Sequence, residues 1–328
     1  MKAILINEDK SLRWDNVPDP VIKSDEVLVK VEAAALNRAD LLQREGNYPP
    51  PPGAPEWMGL EISGRILAMG EEAKARSAFA VGDAVCALLG GGGYAEYAAV
   101  RYDMLMPVPK GCTMVEAAAI PEAFATAYLN LFIEGHMQAG DTLLMNAGSS
   151  GLASVIIPMA KAFGARVITT VRSEAKADAI RHLGADRIVI TGKEDIALAL
   201  AEELEAGHPV DVAIDCLGGE VMGKCLPYLA RGARWIMIAS LAGAATEIDL
   251  KNIYIRNIRI IGSTLRSRPI PVKADILARL VREVYPMIED GRVKPTIYAT
   301  LPIERAEEAH ALLYRGESVG KVVLTLPQ

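Results

Sequence analysis

Cysteine is scarce in this chain: its 328 residues include four, Cys86, Cys112, Cys216 and Cys225, with no Cys-x-x-Cys and no nearby histidine pair. That spacing signals neither a disulfide framework nor a structural zinc, and it fits a reducing, cytoplasmic compartment. Histidine is equally rare, at four residues. His182 and His310 fall among charged residues on expected helices and read as solvated, while His136 and His208 flank glycine-containing turns, so none is expected to be catalytic. There is no surplus of basic charge, since 35 Lys and Arg face 41 Asp and Glu for a net charge of −6. A sequence-independent attraction to a phosphate backbone or an anionic lipid surface is thereby lacking, which argues against nucleic acid as the main partner. Long apolar runs are missing as well. The first run stops at Ile6 before Asn7, Glu8 and Asp9, too short for a secretory segment. The uncharged stretch from Thr142 to Ala160 is interrupted by Asn146-Ala147-Gly148-Ser149-Ser150-Gly151, so it reads as a buried strand, a turn and a helix rather than a membrane span.

What is present is a large apolar fraction, 51% of the residues, in a chain long enough for two domains. The first hundred residues read as strands and loops. Val27–Ala33 alternates apolar and polar residues, and Pro18–Pro20, Pro49–Pro55 and Gly90–Gly93 punctuate the pattern. Tyr48 opens a proline run that reads as a stiff loop rather than a polyproline ligand. From about Ala123 the pattern becomes strand, glycine, helix, glycine, strand. Strands are expected at Thr142–Asn146, Arg166–Val171, Arg187–Ile190, Val210–Asp215, Arg234–Ala239 and Arg259–Ser263. Three of the intervening helices are expected to close on Gly164, Gly184 and Gly232. Such alternation predicts a doubly wound parallel sheet with right-handed crossovers, an α/β architecture. Beyond Gly262 one long amphipathic helix is expected from Lys273 to about Glu289, with Ile276, Leu280, Val284 and Ile288 on one face. A short helix and a final strand, Lys321–Leu326, then return to the first domain. The expected boundaries are 1–122 with 264–328 for the first domain and 123–263 for the second.

The most informative local motif is Asn146–Ala153, which follows a buried strand and opens a helix. Small residues there let the backbone approach a pyrophosphate, whose charge the helix N-terminus stabilises. Alone the motif is weak, being A-G-x-x-G-x-A rather than G-x-G-x-x-G. The end of the second strand discriminates between dinucleotides: an acidic residue there would hold the ribose hydroxyls of NAD. This chain has Arg172, Ser173 and Lys176, two cations and a donor that suit a 2′-phosphate. A solvated basic turn is the alternative. Glu174, one residue into the helix, reads as a partner of the helix dipole.

Several longer segments carry a family resemblance: Ala35–Arg44 with Gly46 and Tyr48, Pro51-Pro52-Gly53, Ala117–Ala123, Asp215–Gly219, and Leu265-Arg266-Ser267-Arg268. Over its whole length the chain resembles the zinc-independent branch of the medium-chain dehydrogenase/reductase superfamily. It is most similar to the NADPH:quinone oxidoreductases, especially the type induced by a tumour-suppressor transcription factor. The resemblance implies a β-rich GroES-like domain beside a Rossmann domain, with NADPH bound between them. By position, Thr126 would lie near the nicotinamide phosphate, the loop containing Gly148, Ser149, Gly151 and Leu152 would hold the pyrophosphate, and Arg172, Ser173 and Lys176 would meet the 2′-phosphate. Backbone around Cys216, Leu217, Ser240, Leu241 and Leu265 would line the nicotinamide ribose and ring. Asn37 and Tyr48 would face the substrate. Relatives often stack a tyrosine on the adenine about where Thr191 stands, so adenine packing is open here.

Zinc-dependent relatives place a cysteine at the position of Asn37 and Gly-His-Glu at Gly59-Leu60-Glu61, and insert a four-cysteine lobe after about Cys86. With none of these, no metal is expected. Cys216 reads as a small residue lining the cofactor cleft, and Asp40 as a helix-start or ion-paired carboxylate. The expected activity is direct hydride transfer from NADPH to a quinone or related conjugated carbonyl, without flavin. A 2-enoyl or alkenal reductase of the same superfamily is the alternative, as is a low-turnover, crystallin-like NADPH-binding protein. Arg259–Ser263, an apolar edge strand, points to a homodimer.

Overall fold

Alternation in Glu26–Ala35 turns Val27, Val29, Val31 and Ala33 inward and leaves Lys30 and Glu32 half-exposed, the pattern of a strand with one face on a core. Around it the computed structural model, which describes residues 1–327, builds a β-rich unit. The chain begins with an antiparallel pair, β1 (Lys2–Ile6) and β2 (Leu12–Asn16). It continues through β3 (Glu26–Ala35), β4 (Glu61–Met69), β5 (Ala84–Leu88), β6 (Tyr97–Arg101) and β7 (Leu105–Pro107). Six strands follow in a second unit: β8 (Thr142–Met145), β9 (Arg166–Val171), β10 (Arg187–Ile190), β11 (Val210–Asp215), β12 (Leu229–Met237) and β13 (Arg259–Gly262). The chain then returns to the first unit with β14 (Ile297–Pro302) and β15 (Lys321–Thr325).

The first unit comprises Met1–Ala125, Arg266–Gly291 and the chain from Pro295 onward; the second comprises Thr126–Leu265 with Arg292–Lys294. In the first, the sheet runs β14-β15-β3-β4-β5-β7, with β6 pairing to β3. β3 and β4 approach closely at Gly64, where a Cβ would lie 2.0 Å from the Lys30 carbonyl oxygen. In the second, the order β10-β9-β8-β11-β12-β13 is parallel throughout. Both halves start from the central β8 and run outward, the doubly wound arrangement that places ligands at the carboxyl ends of the strands.

Two expectations are corrected. Gly164 and Gly184, at φ +88° and +84°, follow helical residues as expected, but Gly232, at φ +81°, lies inside β12. There the helical segment ends earlier, in the turn Leu226–Tyr228 containing Pro227, and β12 starts at Leu229 opposite Val210. The register shift between Val210 and Val212 absorbs the glycine as a bulge. The long C-terminal helix starts earlier, at Ile270, and is not uniform: Ile270–Arg279 gives way to a wider π turn at Leu280–Val284, followed by Tyr285–Glu289. Pro286 has no N–H to donate and crowds the carbonyl four residues before it, which accounts for the break. Ile276, Leu280, Val284 and Ile288 are nevertheless all buried. Among the described residues no helix is long and apolar enough to cross a membrane.

Candidate active site

The first unit holds a cluster of buried charge. Glu61 in β4 and Lys321 in β15 are 0% and 4% exposed, with Nζ 2.6 Å from Oε1. The same ammonium donates to the Leu36 carbonyl at 2.7 Å and to Asn37 Oδ1 at 2.7 Å. Asn37 returns a hydrogen bond from Nδ2 to Glu61 Oε1 at 3.0 Å and a longer one to the Ala35 carbonyl at 3.4 Å. Its carboxamide is thereby fixed by its own unit. The other Glu61 oxygen accepts the backbone N–H of Glu122 at 2.8 Å.

Asp40 sits in the first turn of the Arg38–Arg44 helix, 1% exposed. Its carboxylate accepts from the Asn37 N–H at 2.7 Å, the Tyr94 hydroxyl at 3.0 Å and the Gly59 N–H at 3.2 Å. The first of these is the helix-start role expected from sequence. Burial pushes its pKa up to about 6, against the lowering effect of those hydrogen bonds and of Lys321.

Tyr48 is partly buried, and the guanidinium carbon of Arg266 lies 4.9 Å from its ring centroid. Arg266 also donates to the carbonyls of Tyr48 at 3.2 Å and Gly90 at 2.7 Å, and to Gln43 Oε1 at 2.9 Å. The proline-run loop is therefore tied at Tyr48 by both backbone and ring. Burial and the nearby Glu122 raise the phenol pKa, and Arg266 opposes them. The hydroxyl stays a hydrogen-bond donor at neutral pH.

In the second unit Gly148, Arg172, Ser173, Cys216 and Leu217 follow the carboxyl ends of β8, β9 and β11, whereas Thr126 and Lys176 lie on helices. Gly148 follows β8, and a Cβ there would come within 2.3 Å of Thr169 Oγ1 in β9, so only glycine fits. Ala147 takes φ +58°, its N–H held by Thr170 Oγ1 at 3.1 Å. Ser150 Oγ accepts from the Ala153 N–H at 3.1 Å at the start of the Ala153–Ala162 helix, and Ser149, Gly151 and Leu152 are partly exposed. Asp215, at the end of β11, accepts from the Leu217 N–H at 2.8 Å, Asn146 Nδ2 at 3.2 Å and Trp235 Nε1 at 3.2 Å. Three backbone hydrogen bonds join the loops after β11 and β12: Leu241 N–H to the Cys216 carbonyl at 3.2 Å, Ala242 N–H to the Leu217 carbonyl at 2.7 Å and Gly219 N–H to the Gly243 carbonyl at 2.9 Å. Cys216, Leu217, Ser240 and Leu241 thus share one rim. Leu265 is buried, and Thr126 lies on the Pro121–Tyr128 helix, its carbonyl accepting from Asn130 Nδ2 at 2.7 Å. Arg172 and Ser173 are exposed past the end of β9. Ser173 caps the Glu174–Ile180 helix by accepting from the Lys176 N–H at 3.4 Å, and Glu174 pairs with Lys193 at 2.6 Å. Thr191 bonds through N–H and hydroxyl to the Val171 carbonyl, at 2.9 and 3.3 Å.

Residues 23–110 match the family described as the alcohol dehydrogenase GroES-like domain, and residues 151–281 the zinc-binding dehydrogenase family. The chain is 30% identical over 311 residues to a quinone oxidoreductase-like protein 2 homolog of Nematostella vectensis, covering 93% of this chain and 83% of the relative. It belongs to the quinone oxidoreductase family of the medium-chain dehydrogenase/reductase superfamily. Quinone oxidoreductase of Mus musculus is 29% identical, covering 94% of this chain and 91% of its own. Acryloyl-coenzyme A reductase of Sulfurisphaera tokodaii is also 29% identical, over 99% of both. The chain further matches a segment of longer proteins, spanning 12% of a highly reducing polyketide synthase of Cordyceps militaris at 29% identity. Among solved structures, a mycobacterial protein complexed with NADPH superimposes with TM-score 0.85 at 26% identity over 99% of each chain. The enoyl reductase JamJ does so with TM-score 0.86 at 25% identity, also over 99% of each.

This member of the superfamily does not fit a zinc ion at the position its relatives use. Leu60 is apolar, Asn37 has its amide engaged, and Glu61 is already neutralised by the ammonium of Lys321. Among the described residues no group of three or more His, Cys, Asp or Glu could hold a metal. A nicotinamide dinucleotide does fit the second unit, where the Gly148 turn and the exposed Arg172–Ser173 lie past the ends of adjacent strands.

One histidine is corrected. His310 is 1% exposed, edge-on to Tyr94 at 6.0 Å between ring centroids, and neither ring nitrogen has a partner. Burial pulls its pKa down to about 4. Ala306, Ala309 and His310 form the buried stripe of their helix, a spacing of three and four that was legible beneath the charged neighbours. Sequence reasoning also missed Lys321, Tyr94 and the Glu122 carboxyl. Lys321 opens an apolar strand and Glu61 opens β4, and opposite charges in two such strands were the available signal for their pairing.

Proposed function

We propose that the protein is an NADPH-dependent quinone oxidoreductase, reducing a quinone or related conjugated carbonyl without metal or flavin. Kinship with quinone oxidoreductases over nearly the whole chain carries this reading. NADPH, when bound, supplies the hydride. Gly148, Ser149, Gly151 and Leu152 offer backbone to its pyrophosphate, and Arg172, Ser173 and Lys176 its 2′-phosphate. Thr126, Cys216, Leu217, Ser240, Leu241 and Leu265 border the nicotinamide end. Tyr48 donates a hydrogen bond to the acceptor oxygen as negative charge develops there. Asn37, held by Lys321 and Glu61, shapes the wall beside it.

Reduction of an enoyl thioester is the second reading, favoured by the full-length similarity to acryloyl-coenzyme A reductase. NADPH oxidation measured with quinones, enones and enoyl thioesters separates the two. Tight NADPH binding without turnover on any acceptor would overturn both and favour a crystallin-like role. We further propose a cytoplasmic homodimer joined at β13, the outer strand of its sheet, where Ile260 is 41% exposed. Ile261→Lys should then shift sedimentation towards monomer.

A further inference from the structure

The loop that begins at Tyr48 is short of donors. Five of the nine residues from Tyr48 to Glu56 are proline, which has no N–H to give, so the loop is held by donors from elsewhere. Arg266 and Gln43 supply them. Arg266 Nη1 donates to the Tyr48 carbonyl at 3.2 Å, and Gln43 Nε2 to the Glu56 carbonyl at 2.8 Å. Gln43 Oε1 in turn accepts from Arg266 Nη2 at 2.9 Å, so both ends of the loop lead back to one guanidinium. Its Nε and Nη2 also donate to the Gly90 carbonyl, at 2.9 and 2.7 Å. Gly90 packs on the loop so closely that a Cβ there would lie 3.2 Å from Pro51 Cγ.

Arg266 is 7% exposed, yet its hydrogen bonds all go to neutral acceptors among the described residues, two carbonyls and one amide oxygen. Asp40 and Glu122 act on it through space. A buried cation that gives no hydrogen bond to a carboxylate is costly to keep. Its charge stays available to the group it faces, the Tyr48 ring, at 4.9 Å from guanidinium carbon to centroid.

We propose that Arg266 is a positioning residue for the reduction: it fixes the Tyr48 ring and, through that ring, strengthens the hydrogen bond that the phenol donates to the acceptor oxygen. The inference rests on the reductase function proposed above. As hydride arrives, negative charge grows on that oxygen and is shared with the phenol, where the guanidinium over the ring stabilises it. The interaction is stronger in the transition state than before it, so it acts on kcat. A loop anchor alone would act on both states alike and change KM.

The first test needs neither cofactor nor substrate. With 3-fluorotyrosine incorporated at Tyr48, the fluorine resonance reports the ionisation of that one phenol, whose midpoint burial and Glu122 raise and Arg266 opposes. Arg266→Met should raise the midpoint by roughly half a pH unit, and Arg266→Lys, which keeps the charge, should leave it near wild type. The second test is a double-mutant cycle. Arg266→Met should lower enone kcat by about fivefold with little change in KM, and Arg266→Lys, without the planar fork, should recover part of the loss. In a Tyr48→Phe background neither change should lower kcat further. Unchanged NADPH binding and near-ultraviolet dichroism would show that the variants are folded; should Arg266→Met fail to fold, the cycle with Arg266→Lys decides. Equal losses in the two backgrounds, a loss carried wholly by KM, or an unmoved fluorine midpoint in Arg266→Met overturns the assignment and leaves the reductase function standing. A wild-type protein that reduces no acceptor overturns the function and this inference together.

Discussion

In the Rossmann unit, Leu144, Ile168, Val189, Leu200 and Trp235 pack into an apolar interior, and Gly148, Arg172, Ser173, Cys216 and Leu217 lie beyond the strand ends. The GroES-like unit instead carries Glu61, Lys321, Asp40 and His310 inside, at 0–4% exposure. A parallel sheet makes its binding edge from loops, and the buried carboxylates of this unit, Asp215 and Glu203, sit at the end of β11 and on the flanking Ile196–Glu205 helix. The first unit has no such edge, and its polar groups are built through the strands themselves. Desolvating those charges works against stability unless each finds its partner.

The largest test of that contrast is the buried pair. Lys321→Met alone leaves Glu61 without its cation and should destabilise by about 3–5 kcal/mol, whereas Lys321→Met with Glu61→Leu should recover much of the loss. Denaturant midpoints of the single and double variants measure this. Equal destabilisation in both would mean that the pair is surface-like in energy.

His310 gives the next effect, through pH. Its folded pKa of about 4 lies below the ordinary 6.5, so between those values the unfolded chain binds a proton that the native one does not. Its contribution is whole above pH 6.5 and is lost as pH falls towards 4, on the order of 3 kcal/mol. Glu122 and Asp40, with raised pKa values, act with the opposite sign, so the comparison must be with His310→Leu. That variant should lose less stability between pH 7 and pH 5 than the wild type. Parallel curves would place the ring in contact with water.

In the Rossmann unit the corresponding effects should fall on binding and leave stability alone. Arg172→Ala should weaken NADPH by about 1.5–3 kcal/mol, at least tenfold, and spare NADH and the melting temperature. Equal loss of both dinucleotides would detach Arg172 from the 2′-phosphate. The smallest effect is at Tyr48, where Tyr48→Phe should lower kcat modestly for a quinone and more for an enone whose oxyanion needs support. An unchanged kcat with both would reduce Tyr48 to the loop anchor that its Arg266 contacts already make it.

The same contrast explains what the sequence could convey. Strands and glycine turns of the Rossmann unit are local, and β9, β10 and β11 appear at their expected residues, as do Arg172 and Ser173 beyond β9. The buried polar cluster is non-local: Asn37, Glu61, Glu122 and Lys321 meet from four distant segments. Nothing in a lysine's immediate neighbours says that it will face a glutamate from another strand. Gly232 failed for a related reason, since a positive φ suits a bulge within β12 as well as a helix end.

The position of Lys321 along the chain has a consequence for biosynthesis. The Rossmann sheet is encoded almost without interruption between Thr126 and Leu265 and can close as soon as those residues have emerged. The GroES-like unit, whose first strands precede the Rossmann unit, leaves Glu61 and Asn37 waiting for a strand translated some 260 residues after Glu61 (321 − 61). Of the two units, the one whose strands come earlier is therefore finished later. A nascent chain stalled before Lys321 would present a folded dinucleotide unit joined to an open, charge-unbalanced sheet, and that state is the one for chaperones to hold.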